Sequence, residues 1–258
     1  MPKLIEDGRP AELSLARRRA RAKTLLTILA ALVLAPLTVV VGMGIPGNGY
    51  YLSGTLIVLY AIVPFFVAFE GRRPTAREIA VVAVLTALAV AARAAFIWVP
   101  HFKPMAAIIM IAGIAAGPQT GFLVGSVAAL ASNFIFGQGP WTPWQMLAFG
   151  LVGLVAGLLA DVRVFPRANL SWPRRIALAV TGFVLIVGLA GPLLDTSTFF
   201  YLSTAPTPEL AATVYLAGLP VNAIHGAATA LTLLVVANPL LDHLARVRVK
   251  YGLLNRSR

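Results

Sequence analysis

The chain has 258 residues, 59% of them hydrophobic and 12% charged, with no cysteine and a formal net charge of +12. Long runs without an ionisable group exclude an ordinary soluble domain and define an all-α, polytopic membrane bundle. The missing cysteines exclude disulfides and thiolate metal sites, and the positive charge sits in segments outside the apolar runs, which argues against nucleic-acid binding.

In chain order, a basic tail (residues 1–23) precedes eight expected spans at 24–43, 50–69, 79–98, 105–117, 121–136, 146–160, 176–194 and 216–237. The first run is long enough to cross a bilayer and lacks a small-residue cleavage site, so it reads as a span and not as a cleaved signal. Pro46, Gly47 and Gly49 mark a tight turn after it. The loop at 70–78 divides an N-terminal two-helix hairpin (24–75) from a six-helix unit (76–240) that carries nearly all the polar intramembrane groups. A second basic tail (241–258) follows. The 105–117 run is short: at ~1.5 Å per residue it covers about 20 Å, against a hydrocarbon core of ~30 Å. It needs shielding by neighbours, or extension through Pro104 and Pro118.

All Lys and Arg residues except Arg93 and Lys103 lie in the two tails and in the 70–78 and 161–175 loops. With eight spans these four segments share one side. Both termini are therefore expected to be cytoplasmic, and the 137–145 loop faces outside.

Two patterns of small residues stand out. Ala83, Ala87, Ala91 and Ala95 recur at four-residue spacing on one face of span three. Such a face lets another helix approach closely, either within this chain or on a partner subunit. Gly113, Gly117, Gly121 and Gly125, and then Gly150, Gly153 and Gly157, read as internal packing faces.

The polar groups concentrate near the outer side. Arg93 is the only Lys or Arg within a span. At ~100° per residue it points about 160° from the alanine face, which leaves it either facing the bundle interior or snorkelling to the interface. Asn222, His225 and Thr229 share one face of span eight. The segment from Asn133 to Met146 holds two glycines, two prolines, two glutamines and two tryptophans. Its prolines restrict the backbone, and its rings and amides suit a wall of a ligand pocket. Trp98, Trp141 and Trp144 read by default as interfacial belt residues, and the local chemistry of their loops is what suggests a ligand wall. The candidate ligand-binding set is Arg93, Asn133, Gln138, Trp141, Trp144, Gln145, Asn222 and His225, open to the outside and suited to an amphipathic molecule with a planar part. The sequence suggests no catalytic residue, no cofactor and no metal site, because His101, His225 and His243 are dispersed.

Residues 76–160 resemble the substrate-specific S components of energy-coupling factor (ECF) transporters. The resemblance is carried by Thr75–Glu78, by Phe102–Met105 and by Ser132–Met146. It implies a six-helix core from about 76 to 240 that binds a vitamin or other micronutrient outside a prokaryotic cell membrane. It further implies that Ala83, Ala87, Ala91 and Ala95 dock on a membrane coupling subunit served by two cytoplasmic ATPases. The chain has no nucleotide-binding glycine loop of its own, as that role requires. The two helices at 24–69 are additional to the family pattern. Among ligands, the aromatic loop is similar to that of cobalamin-type S components. Two other classes stand beside this reading. A stand-alone transporter or channel needs coupling-ion or pore chemistry, and only Arg93 is charged within a span. A membrane enzyme needs acidic metal-binding clusters or a nucleophile motif that the sequence does not contain.

Overall fold

The computed structural model describes Leu37 and residues 49–70, 75–202 and 207–251, and the described residues contain no strand. Apart from Leu37, the expected first span lies outside them. The helices are α1 (Gly49–Glu70), α2 (Ala76–Ala95), α3 (Met105–Ala116), α4 (Pro118–Phe136), α5 (Thr142–Asp161), α6 (Trp172–Leu185), α7 (Gly191–Leu202) and α8 (Pro208–Tyr251). A π-helical turn, Ile186–Ala190, joins α6 to α7. Five helical stretches among the described residues are long and apolar enough to cross a bilayer. The protein is thus an all-helical polytopic membrane bundle.

Several boundaries differ from the sequence expectation, each for a local reason. Helix α2 starts at Ala76, three residues early, because Thr75 and Glu78 form a reciprocal cap. The Glu78 N–H donates to Thr75 Oγ1 (3.3 Å), and the Thr75 N–H donates to Glu78 Oε2 (2.9 Å). The same helix ends at Ala95, and residues 96–101 are turns, with His101 in the left-handed region at φ 57°. Helix α5 starts at Thr142, since Pro143 fits a first helical turn. Trp144 and Gln145 therefore stand on a helix, and the irregular connection shrinks to residues 137–141. The expected 195–215 loop is mostly helix, shared between α7 and the start of α8. Helix α8 runs for 44 residues through Pro220 and Pro239, so at ~1.5 Å per residue it extends well beyond a hydrocarbon core of ~30 Å.

The short α3 run is the centre of the bundle. Every residue from Met105 to Ala115 is buried, as a helix apolar on all sides requires. Shielding by its neighbours resolves its insufficient length. Around it, α3, α4 and α5 meet at a glycine junction. A Cβ on Gly113 would lie 2.1 Å from the Gly153 carbonyl oxygen, one on Gly125 would lie 2.2 Å from that of Phe149, and one on Gly153 would lie 2.2 Å from that of Gly121. The glycine series thus packs three helices together. Helix α1 seats on the other side of α5, where Val58 and Ile62 join Phe122, Trp144 and Leu147 in a second apolar cluster.

Close backbone approach of this kind tolerates no methyl group. Gly153→Ala should force α4 and α5 apart and destabilise the bundle by about 1–3 kcal/mol. Gly188→Ala, where nothing lies within 4 Å of the new carbon, should be neutral or slightly stabilising. Thermal unfolding in detergent compares the two.

Candidate functional site

The glycine junction sets the spacing of α4 and α5, and the last turn of α4 then faces the first turn of α5. There Asn133, 1% exposed, is the hub of a polar network. Its Nδ2 donates to Gln145 Oε1 at 2.7 Å and to Thr142 Oγ1 at 3.0 Å. Its Oδ1 accepts from Arg93 Nη1 at 3.0 Å, and the same nitrogen donates to Ser132 Oγ. Thr142 Oγ1 donates to Gln138 Oε1 at 2.9 Å and accepts from the Gly139 N–H at 3.3 Å, which ties the 137–141 connection to the helix it introduces. Gln138 also donates from Nε2 to the Leu130 carbonyl at 3.0 Å.

Arg93 faces the interior. It lies four residues beyond the buried Ala89 and eight beyond the buried Leu85, on the side of α2 opposite the alanine face. Its guanidinium stacks 4.4 Å from the Phe136 ring centre, with Lys103 Nζ 5.4 Å from the same centre. Lys103 also closes the 96–104 connection onto the end of α2, donating to the carbonyls of Phe96 (2.6 Å) and Val99 (3.2 Å). Its ammonium titrates below the usual lysine value, first through partial loss of water and then through repulsion by Arg93. A guanidinium carries five N–H donors, so Arg93 has donors beyond Nη1 to offer a ligand acceptor.

One turn further along α5, Phe149 packs 5.7 Å from the His225 ring of α8, so Gln145 and Phe149 join the network and His225 along one helix face. His225 Nε2 is buried without a hydrogen-bond partner. Asn222 is buried too, and its Nδ2 donates to Asp195 Oδ2 of α7 at 2.8 Å. Two glycines admit this pair: a Cβ on Gly191 would strike the Asn222 side chain at 2.5 Å, and one on Gly218 would strike the Asp195 carboxylate at 2.4 Å. Thr229 does not join the polar set, because its hydroxyl turns back to the His225 carbonyl at 2.9 Å.

The structure therefore gathers Arg93, Asn133, Gln138 and Gln145 into one network and sets Asn222 and His225 nearby on α8. The tryptophans lie apart. Trp144 is 5% exposed and turns toward α1 and α7, packing 6.0 Å from the Phe200 ring. Trp141, 41% exposed, covers Gly139, and Trp98 is 90% exposed. Sequence reasoning missed Ser132, Thr142, Lys103 and Asp195 as site residues. The first two lie within the quoted aromatic segment. Asp195 lies one residue past the expected 176–194 span, where hydropathy gives no sign of a role. The alanines Ala83, Ala87, Ala91 and Ala95, expected from the sequence to form a docking face, are all exposed, while Leu85, Thr86 and Ala89 form the buried side of α2.

Comparison with known proteins places this arrangement. Residues 74–246 match the family described as ECF-type riboflavin transporter, S component, and the chain belongs to that family. A UPF0397 protein of Vibrio atlanticus (strain LGP32) is 31% identical over 104 residues, which cover 40% of this chain and 53% of that protein. The matched stretch thus spans about half the length of that curated relative. No solved structure matches. Nothing in these matches supports the cobalamin analogy drawn from the aromatic loop.

The hub position of Asn133 has a measurable consequence. Asn133→Leu removes the partner of Gln145 Oε1 and one of the two acceptors of Arg93 Nη1 at half-buried positions, and should cost about 1–3 kcal/mol of stability, read as a lower unfolding midpoint in detergent. Gln138→Ala, at an exposed side chain, should cost clearly less.

Proposed function

We propose that the protein is the substrate-capture subunit of an ATP-driven importer for a flavin-like vitamin, taken up from outside the cell. The observation that carries this reading is the family match over residues 74–246, a range that contains the entire Asn133 network. Riboflavin names that family, and the site chemistry is compatible with it. A planar heteroaromatic ring with carbonyl acceptors meets donors at Arg93 and Gln145, ring faces at Phe136 and Phe149, and an unpartnered nitrogen at His225. Asn222, paired with Asp195, extends the same wall.

In this reading α2 couples two jobs. Its inner side positions Arg93 in the site. Its exposed alanine face, Ala83, Ala87, Ala91 and Ala95, accepts a membrane coupling subunit that carries two cytoplasmic ATPases. In lipid, close packing of small residues replaces the hydrophobic drive to associate. The exposure of all four alanines favours a partner outside this chain over packing within it. The alternation of basic segments supports a cytoplasmic position for both termini, with the 96–104 and 137–141 connections outside.

Three measurements test the proposal. Riboflavin fluorescence titration of the purified protein should give saturable binding, and Gln145→Ala should weaken it roughly three- to tenfold, the equivalent of one ligand hydrogen bond. Absence of riboflavin binding by the folded wild type removes the flavin assignment. In a second test, Ala87→Leu with Ala91→Leu should abolish co-purification with the coupling subunit while binding persists. Loss of binding with assembly intact makes the face an internal one. Third, an impermeant thiol reagent on whole cells should label Trp98→Cys and spare Val162→Cys, and the reverse pattern inverts the topology.

A further inference from the structure

Helix α1 lies outside the range matched by the family, yet it brings polar groups to the substrate-binding helices. Tyr51, Gly54, Thr55 and Val58 share one face by their spacing. That face is pressed against α5 and α7: a Cβ on Gly54 would lie 2.8 Å from Trp144 Cζ2 and 3.1 Å from Phe200, and Val58 is in the apolar cluster with Trp144. The Tyr51 ring meets the edge of Tyr201 at 6.0 Å. Within this contact Tyr51 Oη, Thr55 Oγ1 and Trp144 Nε1 are all buried and all lack a hydrogen-bond partner. In a bilayer no water relieves such groups, and each one left unmatched is costly. Three in one interface, two of them from an added helix, mark a place where a ligand supplies the missing partners.

The chemistry of the partner follows from the groups. An indole N–H only donates, whereas the two hydroxyls both donate and accept. Between its ends α1 has no acid or base, Glu70 being its last residue, and the cluster around Trp144 is otherwise apolar. A charged group would lose its hydration there without an ion-pair partner. A neutral, hydroxyl-bearing chain matches all three groups.

We infer that α1 completes the substrate site, with Tyr51, Thr55 and Trp144 Nε1 binding the hydroxylated, uncharged part of the substrate. The inference rests on the flavin-uptake reading above: the ring lies toward the Asn133 network and the hydroxylated chain toward α1. Helix α1 is thereby a specificity element for the ligand's polar tail.

The test uses the full chain and two probes. Riboflavin carries a hydroxylated side chain, whereas lumiflavin keeps the ring and lacks that chain. Tyr51→Phe and Thr55→Val delete hydroxyls while keeping shape. Each should weaken riboflavin binding roughly three- to tenfold and leave lumiflavin binding unchanged, with the unfolding midpoint of the ligand-free protein preserved. Trp144→Phe, which deletes the N–H and retains an aromatic ring, should show the same selectivity. Equal weakening of both probes, or no change in either, overturns the inference and leaves flavin uptake standing. A wild type that binds neither probe overturns both.

Discussion

The close approach of α4 and α5 across glycine is the constraint on which the rest of the structure depends. Lipid tails are as apolar as the helix surfaces, so burial from water does not hold two helices together inside a bilayer. Contact distance does. Gly121 and Gly125 on α4 lie so near the Gly153 and Phe149 carbonyls of α5 that a methyl group would overlap them. At this separation the last turn of α4 meets the first turn of α5, and Asn133 reaches Gln145 at 2.7 Å. A wider spacing would break that bond and the one to Thr142, leaving the Asn133 amide without its partners on α5.

The junction also explains how a helix as short as α3 resides in a membrane protein. Surrounded by α2, α4, α5 and α8, it exposes no backbone to lipid. Its burial gives the core a rigid axis, with the polar network gathered at one end around the 96–104 and 137–141 connections. Helix α2 then occupies a distinctive position. It is packed on one side only, with the interior of the site on that side and four exposed alanines on the other. A movement of α2 relative to the bundle would be felt at Arg93, and in the proposed reading this is how docking on the alanine face would reach the ligand.

Much of this was legible in the sequence. Apolar runs and their lengths marked the spans, and four-residue spacing separated the alanine face from Arg93, since helical periodicity fixes direction about the axis. The glycine series was readable as packing. What periodicity does not encode is which helices meet, so the three-way junction and the turning of Trp144 toward α1 became visible only in the fold. Helix ends set by local chemistry were also misjudged: hydropathy placed the start of α2 after Glu78 and the start of α5 after Gln145, because a capping box and a first-turn proline are polar or neutral signals inside an apolar search. Asp195 lies just past the expected 176–194 span. A helix that continues through a π turn carries it past the expected end of its span and against Asn222.

The central claim, that this chain captures a vitamin and depends on partners for energy, is tested most directly by uptake of radiolabelled riboflavin into cells lacking their own flavin import. Expressed alone, the chain should bind ligand at the cell surface without accumulation. Expressed with the coupling subunit and both ATPases, it should accumulate ligand, and an ATPase variant unable to hydrolyse ATP should abolish that accumulation. Accumulation by the chain alone, driven by an ion gradient and indifferent to the ATPases, would contradict the claim and make the protein a stand-alone transporter.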